Sequence, residues 1–193
     1  MSFEIIILAA IAIFVLTRLF SVLGKEKGAP PPALRDRDQQ RQRPQPVHVV
    51  PDPDQDDDDL ASGLEKIARM QPDFSQREFL AGAKSAYEMI VKAFADGDRG
   101  MLQSLLTRDV YEDYDRAIKA REESGQEPLE LMRLKEATIE TGELTGSMAE
   151  ITVLFGAELS DGERIVSTRE LWTFERDLKD RDPNWRLSDV SAA

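Results

Sequence analysis

The most apolar part of the chain lies at its N-terminal end. Residues 3–23 read FEIIILAAIAIFVLTRLFSVL, and positions 5–16 form an unbroken apolar run. A helix of about 20 residues spans the roughly 30 Å hydrocarbon core of a bilayer. We therefore predict a transmembrane anchor over residues 1–24. The side chains assigned to the anchor are Ile5, Ile6, Ile7, Leu8, Ile11, Ile13, Phe14, Val15 and Leu16.

The flanks of this span indicate a retained anchor with a defined orientation. A cleaved signal peptide is the alternative, but the segment before the run carries Glu4 and no Lys or Arg, and no A-x-A cleavage pattern follows it. Lys25 and Lys27 come directly after the span, then Arg35 and Arg37. Because positive residues stay inside, the C-terminal side is predicted to be cytoplasmic, or in the matrix if the chain is mitochondrial.

A polar stretch at residues 25–59 follows the span and predicts a disordered linker. It holds most of the prolines, the charged cluster RDRDQQRQR at 35–43 and an aspartate run at 52–59. Such a sequence buries too little apolar surface to offset its chain entropy. Its basic half lies next to the predicted span, where anionic headgroups attract Lys and Arg.

Residues 60–193 carry the periodicity of one globular domain, and its first half reads as helices. An amphipathic piece at 64–71 is followed by Ser75 and Glu78, spaced as a capping box. The helix after them has a wide apolar face and ends near Gly97. Two shorter helices are predicted at about 99–106 and 109–123. The apolar face of the long helix consists of Phe79, Leu80, Ala83, Ala86, Tyr87, Ile90, Val91 and Phe94.

From residue 129 onward the pattern favours strands, at 129–139, 148–159, 165–174 and 185–190. In the second of these, Ile151, Val153 and Phe155 alternate with residues of the other face. Asp161-Gly162 is typical of a hairpin turn. Helices followed by antiparallel strands predict an α+β fold, with three helices packed on a curved four-stranded sheet to form a cone.

Composition excludes several kinds of chemistry. The formal net charge of −12 argues against nucleic-acid binding. There is no cysteine and only one histidine, so the usual zinc sites lack ligands, and the phosphate-binding glycine motifs are absent. We therefore predict no catalytic residue, no metal and no cofactor. An acid–base role inside the cone would need a buried carboxylate, for which Glu136, Glu150 and Glu158 are the candidates.

Two segments resemble a known family. FLAGAKSAYEMIVKAFADGD at 79–98 and ELWTFERDLKDRDPNWRL at 170–187 are similar to the opening helix and the last two strands of the domain found in translocase of the inner mitochondrial membrane, subunit 44. The anchor, linker and domain layout resembles short alphaproteobacterial members. The resemblance implies a cone fold similar to nuclear transport factor two. It also implies an adaptor at a bacterial inner membrane, with protein partners and anionic lipid such as cardiolipin as candidate ligands.

Two sets of residues are candidates for binding. Aromatic side chains predicted to line the cone form a candidate pocket, although plain core packing is the favoured interpretation of them. A local basic patch on the third helix is the candidate for anionic headgroups. The pocket set is Tyr87, Phe94, Trp172, Phe174 and Trp185, and the basic set is Arg116, Lys119 and Arg121.

Three functions stay open at this point. The first is the membrane-anchored adaptor. The second is a bridge subunit of a secretion machine, which also joins one span to a cone fold but faces the periplasm. The third is a cone-fold enzyme or small-ligand binder.

Overall fold

A computed structural model describes residues 53–193, so the predicted anchor and the linker up to residue 52 lie outside the described residues. Within residues 53–193, no helix combines the length and the hydropathy that crossing a bilayer requires. The helices are α1 (Pro53–Met70), α2 (Gln76–Asp96), α3 (Arg99–Leu105) and α4 (Arg108–Ser124). The strands are β1 (Glu130–Thr145), β2 (Met148–Ser160), β3 (Ile165–Asp177) and β4 (Arg186–Ala192).

Helix α1 starts earlier than the sequence suggested, because it begins at Pro53 inside the stretch predicted to be disordered. The linker prediction was wrong for residues 53–59. Proline is well tolerated at the first helical position, where its N–H has no helical partner. A helix that begins at Pro53 is consistent with this preference.

The longest helix, α2, begins and ends as predicted. The Ser75 hydroxyl accepts a hydrogen bond from the backbone N–H of Glu78 at 3.4 Å. Gly97 ends the helix with a φ of 70°, a left-handed conformation that glycine adopts without steric cost. Phe79, Tyr87 and Ile90 are buried on the face that meets the sheet.

The four strands form one antiparallel sheet in the order β1-β2-β3-β4. Exposure along β2 alternates as predicted up to Val153, and beyond it Leu154, on the opposite side of the strand, is buried as well. Ile151, Val153 and Phe155 are all buried on one side of the strand. We call the side that carries these residues the inner face and the opposite side the outer face. Helices packed on the inner face of an antiparallel sheet confirm the predicted α+β class.

Strand β1 is longer than predicted and does not alternate regularly. Its register against β2 shifts at three places, between Leu131 and Arg133, Leu134 and Glu136, and Ile139 and Thr141. Each bulge adds one residue, so apolar residues three apart return to the inner face. Leu131, Leu134 and Ala137 accordingly lie opposite Leu159, Ala157 and Phe155.

Helix α1 packs on β1 through two glycines. A Cβ atom on Gly63 would lie 1.6 Å from the carbonyl oxygen of Gly142, and one on Gly142 would lie 2.7 Å from Leu64 Cδ2. The helix and strand backbones therefore touch at a distance that only glycine permits. This contact allows Leu64 and Ile67 to be buried in the core.

Candidate functional site

The inner face of the sheet carries most of the predicted pocket residues in one aromatic row. Ring centroids are 4.6 Å apart for Tyr87 and Trp172, and 6.4 Å apart for Trp172 and Phe174. Phe79 continues the row, at 6.1 Å from Phe174 and 4.9 Å from Trp185. Tyr87, Trp172 and Phe174 are buried, so these three pack as core.

Phe94, the fifth predicted pocket residue, lies apart from this row. It is near the C-terminal end of α2, about 22 Å along the helix from Phe79 at the rise of an α-helix. Its ring packs edge-on against Tyr114 of α4, with centroids 5.2 Å apart. The structure therefore joins four of the five predicted residues and places Phe94 in a separate contact between two helices.

A carboxylate that the sequence analysis did not select lies at the end of the aromatic row. Glu170 is two residues before Trp172 in β3, so both side chains are on the inner face. Trp172 Nε1 donates a hydrogen bond to Glu170 Oε2 at 3.0 Å. Burial raises the pKa of the Glu170 carboxyl, and the bond from Trp172 offsets part of that effect. The signal available in the sequence was the two-residue spacing between Glu170 and Trp172, which puts both side chains on the same face of a strand.

Two phenols lie close enough to Glu170 to respond to its charge. Burial, then the negative charge of Glu170, raises the pKa of Tyr87 to about 12, while the nearby Thr168 hydroxyl acts in the opposite direction. Burial also raises the pKa of the Tyr114 phenol, with smaller contributions from Glu170 and Tyr87. Glu170, Tyr87 and Tyr114 form what we call the Glu170 cluster, in which one carboxylate lies near two neutral phenols.

The carboxylates selected from the sequence occupy other positions. Glu158 on the outer face accepts hydrogen bonds from Lys135 and Arg133, each at 2.9 Å. These bonds lower the pKa of the Glu158 carboxyl. Glu136 forms an ion pair with Arg169 at 3.6 Å, and Glu150 is exposed. The hypothesis that one of these three is a buried acid inside the cone was wrong. All three glutamates belong to the outer face, and so do the residues that pair with them on the neighbouring strand.

The predicted basic patch on α4 is largely occupied by internal contacts. Arg116 is paired with Asp113, and Lys119 Nζ lies 2.6 Å from Asp115 Oδ2. Arg121 Nη2 donates to the carbonyl oxygens of Phe94 and Ala95, at 2.8 and 2.9 Å. The Arg121 guanidinium also lies 5.0 Å from the centre of the Phe94 ring. Arg121 therefore caps the C-terminal end of α2, where its charge complements the helix dipole.

Comparison with known protein families assigns the domain. The family model for the Tim44-like domain matches residues 60–192, which is more than half of the chain. The chain belongs to the Tim44-like domain family. This confirms the resemblance found in the sequence, and membership associates the chain with membrane-associated, translocase-related proteins.

Two solved structures match part of the chain. One is a SEC-C motif containing protein from Rhodopseudomonas palustris, with 22% identity and a TM-score of 0.35, covering 53% of this chain and 71% of that chain. The other is a proposed dehydratase of the NTF2-like family from Streptomyces avermitilis, with 17% identity and a TM-score of 0.39, covering 62% of this chain and 99% of that chain. The search of curated proteins found no match.

Proposed function

We propose that this protein is a membrane-anchored adaptor at a bacterial inner membrane, with its C-terminal domain in the cytoplasm. The observation that carries the proposal is the Tim44-like match over residues 60–192. The apolar run at 5–16 and the lysines at 25 and 27 support a single anchor with this orientation. In this proposal the domain binds protein subunits of a membrane complex.

We propose an adaptor rather than an enzyme because of how the acidic side chains are distributed. On the outer face, Glu158 and Glu136 are held in ion pairs with basic residues of neighbouring strands. On the inner face, Tyr87, Trp172 and Phe174 fill the space that a substrate would need. A domain of this kind offers surfaces for binding more readily than a place for chemistry.

Anionic lipid is a second ligand in the proposal. The basic half of the stretch at 25–43 follows the predicted span directly, and each Lys or Arg near an anionic surface contributes about 1 kcal/mol. Flotation of the full chain with vesicles that contain or lack cardiolipin measures this contribution. Equal recovery with both vesicle types would remove lipid from the proposal and leave the adaptor function intact.

In vivo crosslinking of the tagged full chain tests the adaptor function. We expect translocase, chaperone or other membrane-complex subunits to co-purify, and a chain that lacks residues 1–24 to lose them. Recovery of the protein alone would contradict the proposal.

Protease treatment of spheroplasts tests the orientation, since a digested C-terminal domain would place it in the periplasm and favour a secretion bridge subunit.

The Glu170 cluster favours a small-ligand binder as the second candidate. Among residues 53–193, the half-buried Glu170 carboxylate accepts one side-chain N–H bond, from Trp172, so it can accept further donors from a bound molecule. Native mass spectrometry of the full chain and of Glu170→Gln would show a small molecule that only the parent chain retains. An identical pair of spectra would end this second candidate.

A further inference from the structure

The sheet has an open backbone edge on β3 that neither neighbouring strand covers. Strand β4 pairs with β3 only from Glu170 to Glu175. The last bond on that side runs from the Ala193 N–H to the Arg169 carbonyl oxygen, at 3.2 Å. Among the described residues, the segment Ile165–Arg169, which we call the β3 edge, is therefore paired with β2 on one side only.

The direction of the backbone groups on this edge follows from that last bond. The Arg169 carbonyl points toward β4, and N–H and C=O groups alternate sides along a strand. The register between β2 and β3 has no shift over this stretch. Ile165 and Ser167 therefore direct their N–H and C=O groups to the open side, where no strand of the described residues pairs with them.

The β3 edge, whose charged residue is Arg169 at its end, has less protection against pairing than the opposite edge of the sheet. Strand β1, at the other edge, has three bulges and exposed charges at Glu130, Arg133 and Lys135. The β3 edge has no bulge, and residues 165–168 read Ile-Val-Ser-Thr without a charge. Ile165 is 66% exposed, the highest value among the exposed large hydrophobic residues of the described part. Exposed edge strands that have hydrophobic, β-branched side chains and no bulge are the ones that pair with other chains.

Charge at the ends of the edge indicates which strand fits it. Arg164 precedes the segment and Arg169 ends it, with side chains 53% and 62% exposed. Each is ion-paired, Arg164 with Asp161 at 3.9 Å and Arg169 with Glu136 at 3.6 Å, and each keeps more than half of its side-chain surface exposed. A strand with acidic residues at its ends complements both arginines, whereas a second copy of this chain would bring the same arginines to the edge.

We propose that the β3 edge binds an extended segment of a protein partner by strand addition, and that this segment has a β-branched centre and acidic ends. Backbone hydrogen bonds to Ile165 and Ser167 supply affinity, and the exposed Ile165 and Val166 select apolar or β-branched side chains. The inference rests on the proposed adaptor function and identifies the surface through which a partner is held.

The test uses the full chain in nanodiscs and a fluorescent capped peptide with glutamate at both ends and alternating threonine and valine between them. Ser167→Pro removes an N–H on the open side without removing a bond to β2. We expect Ser167→Pro to weaken peptide binding at least about tenfold and Ser167→Ala to change it by less than about twofold. The same peptide with N-methylated valines keeps its side chains, and we expect it not to bind.

Three results in vitro would overturn the inference. One is equal binding by the parent chain and Ser167→Pro, with circular dichroism showing that both are folded. Another is binding of the N-methylated peptide that is as tight as binding of the unmethylated peptide. The third is a parent chain that dimerises in light scattering while Ser167→Pro does not, because the edge would then join two copies. If Ser167→Pro still captures the same membrane-complex subunits in vivo, the inference fails and the adaptor function stands. If the parent chain captures none, the adaptor function itself fails.

Discussion

The two faces of the sheet place the same residue type in opposite electrostatic states. Glu170 on the inner face lies among aromatic rings, and burial raises the pKa of its carboxyl. Glu158 on the outer face, on the neighbouring strand, is held by Lys135 and Arg133, which lower the pKa of its carboxyl. The difference arises from which face the strand register assigns to each glutamate, since both belong to strands of the same sheet.

The largest effect is expected from removing a buried aromatic side chain on the inner face. Trp172→Ala removes a buried ring that contacts Tyr87, Phe155 and Phe174, and the cavity should reduce the free energy of unfolding by about 3–5 kcal/mol. Thr173→Ala, one residue further on the outer face, removes only the hydroxyl contact with Thr152 at 2.9 Å and should cost about 1 kcal/mol. Urea denaturation of both variants measures the two values, and similar losses would contradict the distinction between the faces.

A smaller loss is expected where α1 closes over the core. Gly63→Ala places a methyl group against the Gly142 carbonyl, so α1 must move and the unfolding free energy should fall by about 1–3 kcal/mol. Gly82→Ala is the matched control on α2, because a Cβ there meets nothing within 4 Å, and it should stabilise the domain by up to about 1 kcal/mol. Thermal unfolding compares the two, and a stabilising Gly63→Ala would show that the contact is not close.

The smallest but most diagnostic effect is expected from the two glutamates. The raised pKa of the Glu170 carboxyl means that the folded state prefers the protonated form. The contribution of the Glu170 carboxyl to the free energy of unfolding is therefore present at acidic pH. It is lost as pH rises through the folded-state pKa. Glu170→Gln should be more stable than the parent chain at neutral pH, with the gain disappearing at acidic pH.

Glu158→Gln should behave in the opposite way. Its carboxyl pKa is lowered in the folded state, so its contribution is present at neutral pH and is lost as pH falls through that value. The variant should be less stable than the parent chain at neutral pH and equal to it in acid. Unfolding curves measured across pH test both variants, and the same sign of change for both would refute the assignment to opposite environments.

The sequence predicted the parts of the fold that depend on regular periodicity. The long face of α2 and the alternation in β2 each repeat often enough to identify an element. The apolar residues of β1 are spaced irregularly, because bulges return Leu131, Leu134 and Ala137 to one face. The strand was therefore predicted to end at residue 139, although it continues to Thr145.

The environment of the candidate site residues was harder to predict, because it depends on tertiary contacts. Arg121 is on the same helix as Arg116, and only the packing of α4 on the end of α2 shows that it caps carbonyl groups. Glu170 reads as an ordinary polar position of β3 until its register opposite Phe155 is known. Strand register and helix packing join residues far apart in the sequence, and local patterns do not specify those contacts.

The contact between Gly63 and Gly142 has a mechanical consequence. Helix α1 is the element through which the described domain continues into the N-terminal part of the chain, so tension from that side reaches α1 first. The touching backbones attach α1 to β1, whose bonds to β2 extend along almost its entire length. A pull on α1 is thus passed to the whole hydrogen-bonded ladder of the sheet, and under the proposed adaptor function the domain would carry load between the anchor and its partner.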